Sequence, residues 1–345
     1  MATALAPEHK PKIENATAGE RLSRHMPILI ILVLALLGLL AIGSPVTWLT
    51  LTVAGLAMGM MIFIMASGLT IVFGLMDVIN FGHGAFISVG AFVGVSVLAL
   101  MASLTHSSAL AANLLAVGVA VLAAMAATAI MGYVFERFII LPVYGQHLKQ
   151  ILTTMGGLII VEQLIYVFWG PNQLYAPKPE ALRGAIVIAG AAIEKYRLLA
   201  VVVGLILFAA MSYVMAKTRV GLMVRAGVEN PEMVEALGYR IKRLFVLVFM
   251  AGSALAGLGG VMWGLYQEVI TAEIGSQVMI MVFIVVIIGG LGSVGGCFAG
   301  ALMVGLLANY TAFLAPKLAL VSNIALMVAI LMWRPMGMYP VVKAK

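Results

Sequence analysis

Long apolar runs follow one another along the chain, at 27–43, 47–75, 79–104, 108–135, 151–170, 198–216, 244–266, 278–290, 294–314 and 318–333. A helix needs about 20 apolar residues to cross a bilayer core. The pattern therefore predicts an all-α polytopic integral membrane protein of 8–10 transmembrane helices, some of them broken. The count is ten when the stretch 278–314, too long for one crossing, is split at its glycines. The breaks between runs are chemical. His106, Ser107 and Ser108 separate two of them, and Glu136 with Arg137, then Gly145 to Gln150, read as a polar turn. Residues 170–197 are polar and irregular, with Pro171, Pro177 and Pro179, and Ile186, Val187 and Ile188 suit a short strand. Residues 217–243 carry the densest charge. Residues 1–26 read as a polar tail and 341–345 as a second one. The run at 27–43 is expected to stay as a span, because no cleavage site and polar mature domain follow it.

Composition narrows the function classes. Of 345 residues, 63% are hydrophobic and 10% charged, against ~45–50% and ~25% in soluble domains. With a mean hydropathy of +1.15, this excludes a soluble enzyme, a nucleic-acid module and a disordered chain. The single cysteine, Cys297, excludes an internal disulfide and a Cys-based zinc site. The 24 methionines read as flexible packing. The net charge of +7 is informative through its placement. With ten crossings and the amino terminus inside, only Lys178, Arg183, Lys195, Arg197 and Lys317 of the 20 Lys and Arg fall outside. Cytoplasmic loops are enriched in Lys and Arg, so both termini and 217–243 are expected in the cytoplasm and 171–197 outside.

Polarity within the apolar sequence marks candidate sites. Gly74 to Gly84 holds Asp77, Asn80, Phe81, Gly82, His83 and Gly84. Charges and broken backbone at membrane depth are tolerated only in protein or beside a watery cavity. Asn80 to Gly84 is therefore read as part of a pathway or its gate, whereas Asp77 suits either that role or an ordinary turn. No second ligand is spaced to make a metal site with His83. The second segment, Gly289 to Gly296, contains Gly290, Gly292, Ser293 and Gly295. Its glycine spacing is formally that of a dinucleotide fingerprint, but no Asp or Glu follows it to the end of the chain, and no cofactor is expected. A broken span with close helix packing fits better, and two such breaks in opposite halves point to a solute route. Glu162, beside Gln163, is either functional or hydrogen-bonded between helices.

The loop 217–243 holds a short helix, predicted over 231–237. Asn230 is a good N-cap, Pro231 suits the first position, Glu232 suits the dipole, and Gly238 ends the helix in a left-handed conformation. Met233, Val234 and Leu237 fall on one face and want a partner, either this chain's own helix ends or a cytoplasmic subunit.

This loop resembles the coupling loop of ABC importer permeases, the short helix that docks on the ATPase. Three stretches together resemble the branched-chain amino-acid permease family (the LivH/LivM type, also used for urea and amides): Gly68 to Gly74 continuing through Asn80 to Gly84; Gly221 to Ala226 continuing through Ala236 to Gly238; and Ile288 to Gly296 with Trp333, Arg334 and Pro335. The form Asn80-Phe81-Gly82-His83-Gly84 points to the LivH side, although the family often has Ala where Gly82 stands. The resemblance spans residues 48–340 and leaves out the tail. It implies a permease subunit in a bacterial inner membrane. It also implies a second, LivM-type permease subunit, two cytoplasmic ATPase subunits and a periplasmic or lipid-tethered solute-binding protein. Arg225, Glu229, Asn230, Met233, Val234, Leu237 and Gly238 would then carry the coupling to the ATPase. The chain has no P-loop motif, so ATP would be hydrolysed by another chain. The rival reading is an ion-coupled secondary transporter or channel, for which Asp77 and Glu162 are the available titratable groups.

Overall fold

The computed structural model describes residues 18–339 apart from 230, 237 and 239, and leaves undescribed the side chains of 18–25, 225, 228, 229, 231, 232 and 320. Its helices are α1 Ala18–Ile42, α2 Pro45–Met76, α3 His83–Leu100, α4 Ala102–Thr105, α5 Leu110–Phe135, α6 His147–Trp169, α7 Lys195–Lys217, α8 Arg219–Glu229, α9 Pro231–Ala236, α10 Ile241–Gln267, α11 Ile274–Gly289, α12 Val294–Leu314 and α13 Ala319–Trp333. Seven apolar helical stretches, 45–76, 83–100, 110–143, 147–169, 195–217, 241–267 and 294–314, are long enough to cross a bilayer. Met26–Ile42, Ile274–Gly289 and Val321–Trp333 are shorter apolar helices. These ten correspond one for one to the ten apolar runs.

Local chemistry sets the helix ends. Ser44 caps α2, accepting from the Thr47 amide at 3.4 Å, and Pro45 fills the first position, where a missing N–H costs nothing. Asp77 closes α2 in the left-handed region at φ 53, a conformation that Asp tolerates better than most side chains. At the other break, Gly290 ends α11 at φ 94. Ser293 then opens α12 by accepting the Gly296 amide at 3.1 Å.

The interior is built by close helix approach. A Cβ on Gly68 of α2 would lie 2.3 Å from the Gly252 carbonyl oxygen of α10, and one on Gly59 would lie 2.7 Å from the Ala301 carbonyl of α12. Membrane helices gain no hydrophobic driving force from one another in lipid, so small residues that let backbones touch are the main packing device. Phe86, Phe135 and Phe249 fill the space between α3, α5 and α10, with ring centroids 5.3 to 6.4 Å apart. α1, α5, α6 and α7 turn large apolar side chains such as Leu40, Leu122, Val167 and Ile206 outward, as lipid-facing helices do.

Four short strands gather at one end of the bundle: β1 Leu174–Tyr175, β2 Ala185–Ile188, β3 Ala191–Glu194 and β4 Val269–Ile270. β1 pairs antiparallel with β4, Leu174 opposite Ile270, and β2 pairs with β3, Ile186 opposite Ile193. The strand expected at Ile186 to Ile188 is thus half of a hairpin, turned by Ala189 and Gly190, both at positive φ. Lys178 joins this end together through Glu194 and, at 2.9 Å, Glu268.

Several boundaries differ from the sequence reading. α1 begins at Ala18, inside the expected tail. Glu136 and Arg137 do not form a turn: α5 runs on through a π-helical segment, Glu136–Ile140, and a 3₁₀ turn, Leu141–Val143. The helical path goes on past both, and Glu136 is buried. The span expected from residue 79 starts as helix only at His83. The coupling loop holds a second helix, α8, that the short-helix reading did not include.

Candidate functional site

The connector 77–82 between α2 and α3 is the most unusual backbone inside the bundle. His83, the first residue of α3, places Nε2 2.9 Å from the Met65 carbonyl oxygen. Met65 lies eleven residues before the end of α2, roughly 16 Å along a helix rising 1.5 Å per residue. The chain therefore leaves α2 at Met76 and climbs back beside it before α3 begins. Non-helical backbone at that depth is viable because it is buried in protein: Val78 and Asn80 are buried, and the Phe81 amide donates to Thr154 Oγ1 of α6 at 3.2 Å. The Phe81 ring meets Phe283 of α11 at 4.7 Å. Gly82 has no room for a side chain, since a Cβ there would lie 2.5 Å from the Phe135 ring, and one on Gly84 would lie 3.1 Å from the Gly275 backbone. Asn80 Oδ1 is buried without a hydrogen-bond partner, as are Glu136 Oε2 and Gln150 Oε1. Asp77 is exposed and serves as the end cap of α2.

The second glycine segment meets the first at the same end of the bundle. A Cβ on Gly74 of α2 would lie 2.7 Å from Gly292 Cα. Gly290 and Gly292, at φ 94 and 84, turn the chain from α11 into α12. Ser293 is the cap of α12, and Gly295 is exposed, with open space where a side chain would go. A strap that the sequence did not announce closes this turn. The Met338 and Tyr339 amides donate to the carbonyls of Ile288 and Gly289 at 2.9 and 3.1 Å.

The segment expected to couple to an ATPase lies next to this closure. α9 spans Pro231–Ala236, and Gly238 follows at φ 87, left-handed as expected. Asn230 and Leu237 fall outside the described residues, as do the side chains of Arg225 and Glu229. The apolar face divides: Val234 is buried, whereas Met233 is 60% exposed. A cleft of about 180 Å³ runs between α8, α9 and α10, walled by Met223, Val234, Ile241, Leu244 and Leu247 with Arg240 and Arg243. α8 rests on the last turn of α2, where a Cβ on Gly227 would be 3.1 Å from Leu75 Cδ1.

Two polar links between α6 and α11 complete the picture. Ser276 Oγ donates to Glu162 Oε1, and Tyr166 Oη donates to Glu273 Oε1. Glu162 is thus hydrogen-bonded between helices. The role of Glu273 was not legible in advance, because its partner lies 107 positions away in the chain. On the strand end, the hydrogen bonds from Lys178 to Glu194 and Glu268 outweigh the opposing effect of burial and hold its ammonium above the usual lysine range.

Residues 51–331 match the family described as branched-chain amino acid transport system / permease component. The chain is 27% identical over 296 residues to the high-affinity branched-chain amino acid transport system permease protein BraD of Pseudomonas aeruginosa, covering 83% of this chain and 93% of the relative. It is 25% identical over 290 residues to LivH of Escherichia coli K12, a permease protein of the same description, covering 82% and 92%. A probable branched-chain amino acid transport permease protein LivH of Methanocaldococcus jannaschii is 23% identical over 251 residues, covering 71% and 75%. No solved structure matches the chain. With the family match covering most of its length, the chain belongs to the branched-chain amino acid transport system permease family.

Proposed function

We propose that this chain is the transmembrane subunit of an ABC importer that moves a branched-chain or related amino acid inward across a bacterial inner membrane. It pairs with a second, LivM-type permease subunit and two cytoplasmic ATPases, and receives solute from a periplasmic or lipid-tethered binding protein. The observation that carries this reading is the packing of α8 against the last turn of α2. The coupling segment presses on Leu75, one residue from Gly74 and its contact with Gly292. A push on α8 and α9 from a docked ATPase would shift the end of α2. It would then loosen the contact between the two glycine breaks and re-seat Asn80 to Gly84 against α6 and α11. Small residues at these contacts let the helices rock without large side chains interlocking. Both termini and α8–α9 lie on the ATPase side in this scheme, and the strand end faces the binding protein.

Uptake of labelled leucine into proteoliposomes holding the full complex tests the proposal. The expected uptake needs the ATPase subunits and ATP and survives an uncoupler. Uptake that an uncoupler abolishes and that proceeds without the ATPases would replace this reading with ion-coupled transport.

A further inference from the structure

At the strand end, a cleft of about 190 Å³ opens between α3, α6 and the loop before α11. Phe92, Tyr166, Asn172, Gln173, Thr271 and Glu273 line it. Its volume equals that of roughly six waters at ~30 Å³ each, which suits a small amino acid and is too small for a peptide.

The charge balance of the cleft is one-sided. Among the described residues, Glu273 is the one carboxylate lining it, no Lys, Arg or His lines it, and none of the four ion pairs includes Glu273. Three of the four cations of residues 171–197, Lys178, Arg183 and Arg197, are paired with Glu194, Glu268 and Glu180, and the fourth, Lys195, does not line the cleft. The hydrogen bond from Tyr166 holds the Glu273 carboxyl below its usual range, against the effect of partial burial, so the group is anionic at neutral pH. An anion whose fixed partners are neutral donors, in a cleft with no cation, is complementary to a ligand that brings positive charge and N–H donors. Phe92 lies beneath the cleft, 1% exposed and packed on Trp169, and the exposed amides of Asn172 and Gln173 suit a carboxylate. Taken together, these groups match the ammonium and the carboxylate of a small zwitterion.

We propose that this cleft is a binding site for the solute at the strand end of the permease, in which Glu273 receives the α-ammonium group of an amino acid and the amides of Asn172 and Gln173 its carboxylate. The inference rests on the reading of the chain as an amino-acid permease and adds the site and the group recognised.

Pro171 also lines the cleft and is exposed, whereas Cys297 is buried. In the permease–ATPase complex in nanodiscs, without the solute-binding protein, alkylation of Pro171→Cys is followed on this chain with L-leucine, 4-methylpentanoate (the same skeleton without the ammonium) or sodium chloride present. L-Leucine alone is expected to slow alkylation. Adding Glu273→Gln keeps the acceptor for Tyr166 and removes the charge, and should raise the half-protecting leucine concentration about ten- to a hundredfold, the range for losing a charged hydrogen bond. Saturation-transfer NMR of leucine on the complex with and without Glu273→Gln gives the same comparison without a thiol. Equal protection by 4-methylpentanoate, protection by sodium, or indifference to Glu273→Gln in both measurements would overturn the site. If the wild-type complex imports leucine while the engineered thiol goes unprotected and the NMR signal is absent, the cleft is rejected and the permease reading stands. If the complex with its ATPases imports no amino acid, both fall.

Discussion

Gly74, near the end of α2, and Gly292, in the turn between α11 and α12, are 218 positions apart and in backbone contact, so close that a Cβ on Gly74 would lie 2.7 Å from Gly292 Cα. The contact joins the two glycine-rich breaks into one closure, with α8 against one side and the Met338–Tyr339 strap against the other.

Gly74→Ala tests whether the closure moves. A Cβ at 2.7 Å from backbone forces a shift, and overpacking of this kind costs about 1–3 kcal/mol. The complex is expected to purify with a lowered Tm, and leucine uptake to fall by about tenfold, equivalent to ~1.4 kcal/mol of added barrier. Normal uptake at a lowered Tm would show the contact to be packing alone.

The two halves of the α9 face should separate by phenotype. Val234→Lys places an ammonium in the cleft against α10 that Arg240 and Arg243 already line, where burial and like charge are both unfavourable. It should lower the yield of folded chain. Met233→Asp, on the exposed side, should leave yield and Tm unchanged and reduce co-purification of the ATPases. Wild-type recovery of ATPase with Met233→Asp would exclude Met233 from the docking surface.

Lys178→Met leaves Glu268 without its cation and Glu194 with Arg197 alone. Breaking a largely buried pair costs up to ~3–5 kcal/mol, and Glu268 is 47% exposed, so solvent screening brings the expectation to about 2 kcal/mol. The pH dependence follows from the raised pKa of Lys178. Its contribution is fully present below the unfolded lysine value of about 10.4 and is lost only as pH rises through the still higher folded value. The Tm difference between wild type and Lys178→Met should therefore be constant from about pH 6 to 9 and shrink only in stronger alkali. A difference that disappears by pH 8 would contradict this assignment.

Sidedness can be read with thiols, because Cys297 is buried. Lys317→Cys should react with an impermeant reagent added outside intact cells. Arg240→Cys, at the start of α10, should react only after permeabilisation. The opposite pattern would invert the topology and place the coupling helices on the wrong side for an ATPase.

The helical character and the order of the apolar segments were legible in the sequence, because lipid leaves a segment little choice: an apolar run must hydrogen-bond its own backbone, and helix does so within the segment. The end of α9 was legible for a related reason, since the left-handed conformation that stops it favours glycine, here Gly238. The polarity of Glu136 misled, because a charge in sequence says nothing of whether the helix goes on past it. Tertiary structure alone decided that the connector after Met76 climbs back to Met65, that Gly74 meets Gly292, that Val234 turns inward while Met233 stays exposed, and that Tyr166 reaches Glu273. Each of these joins residues distant in the chain or divides neighbours between two faces. Packing between helices sets such pairings, whereas hydropathy records only what each segment needs for itself.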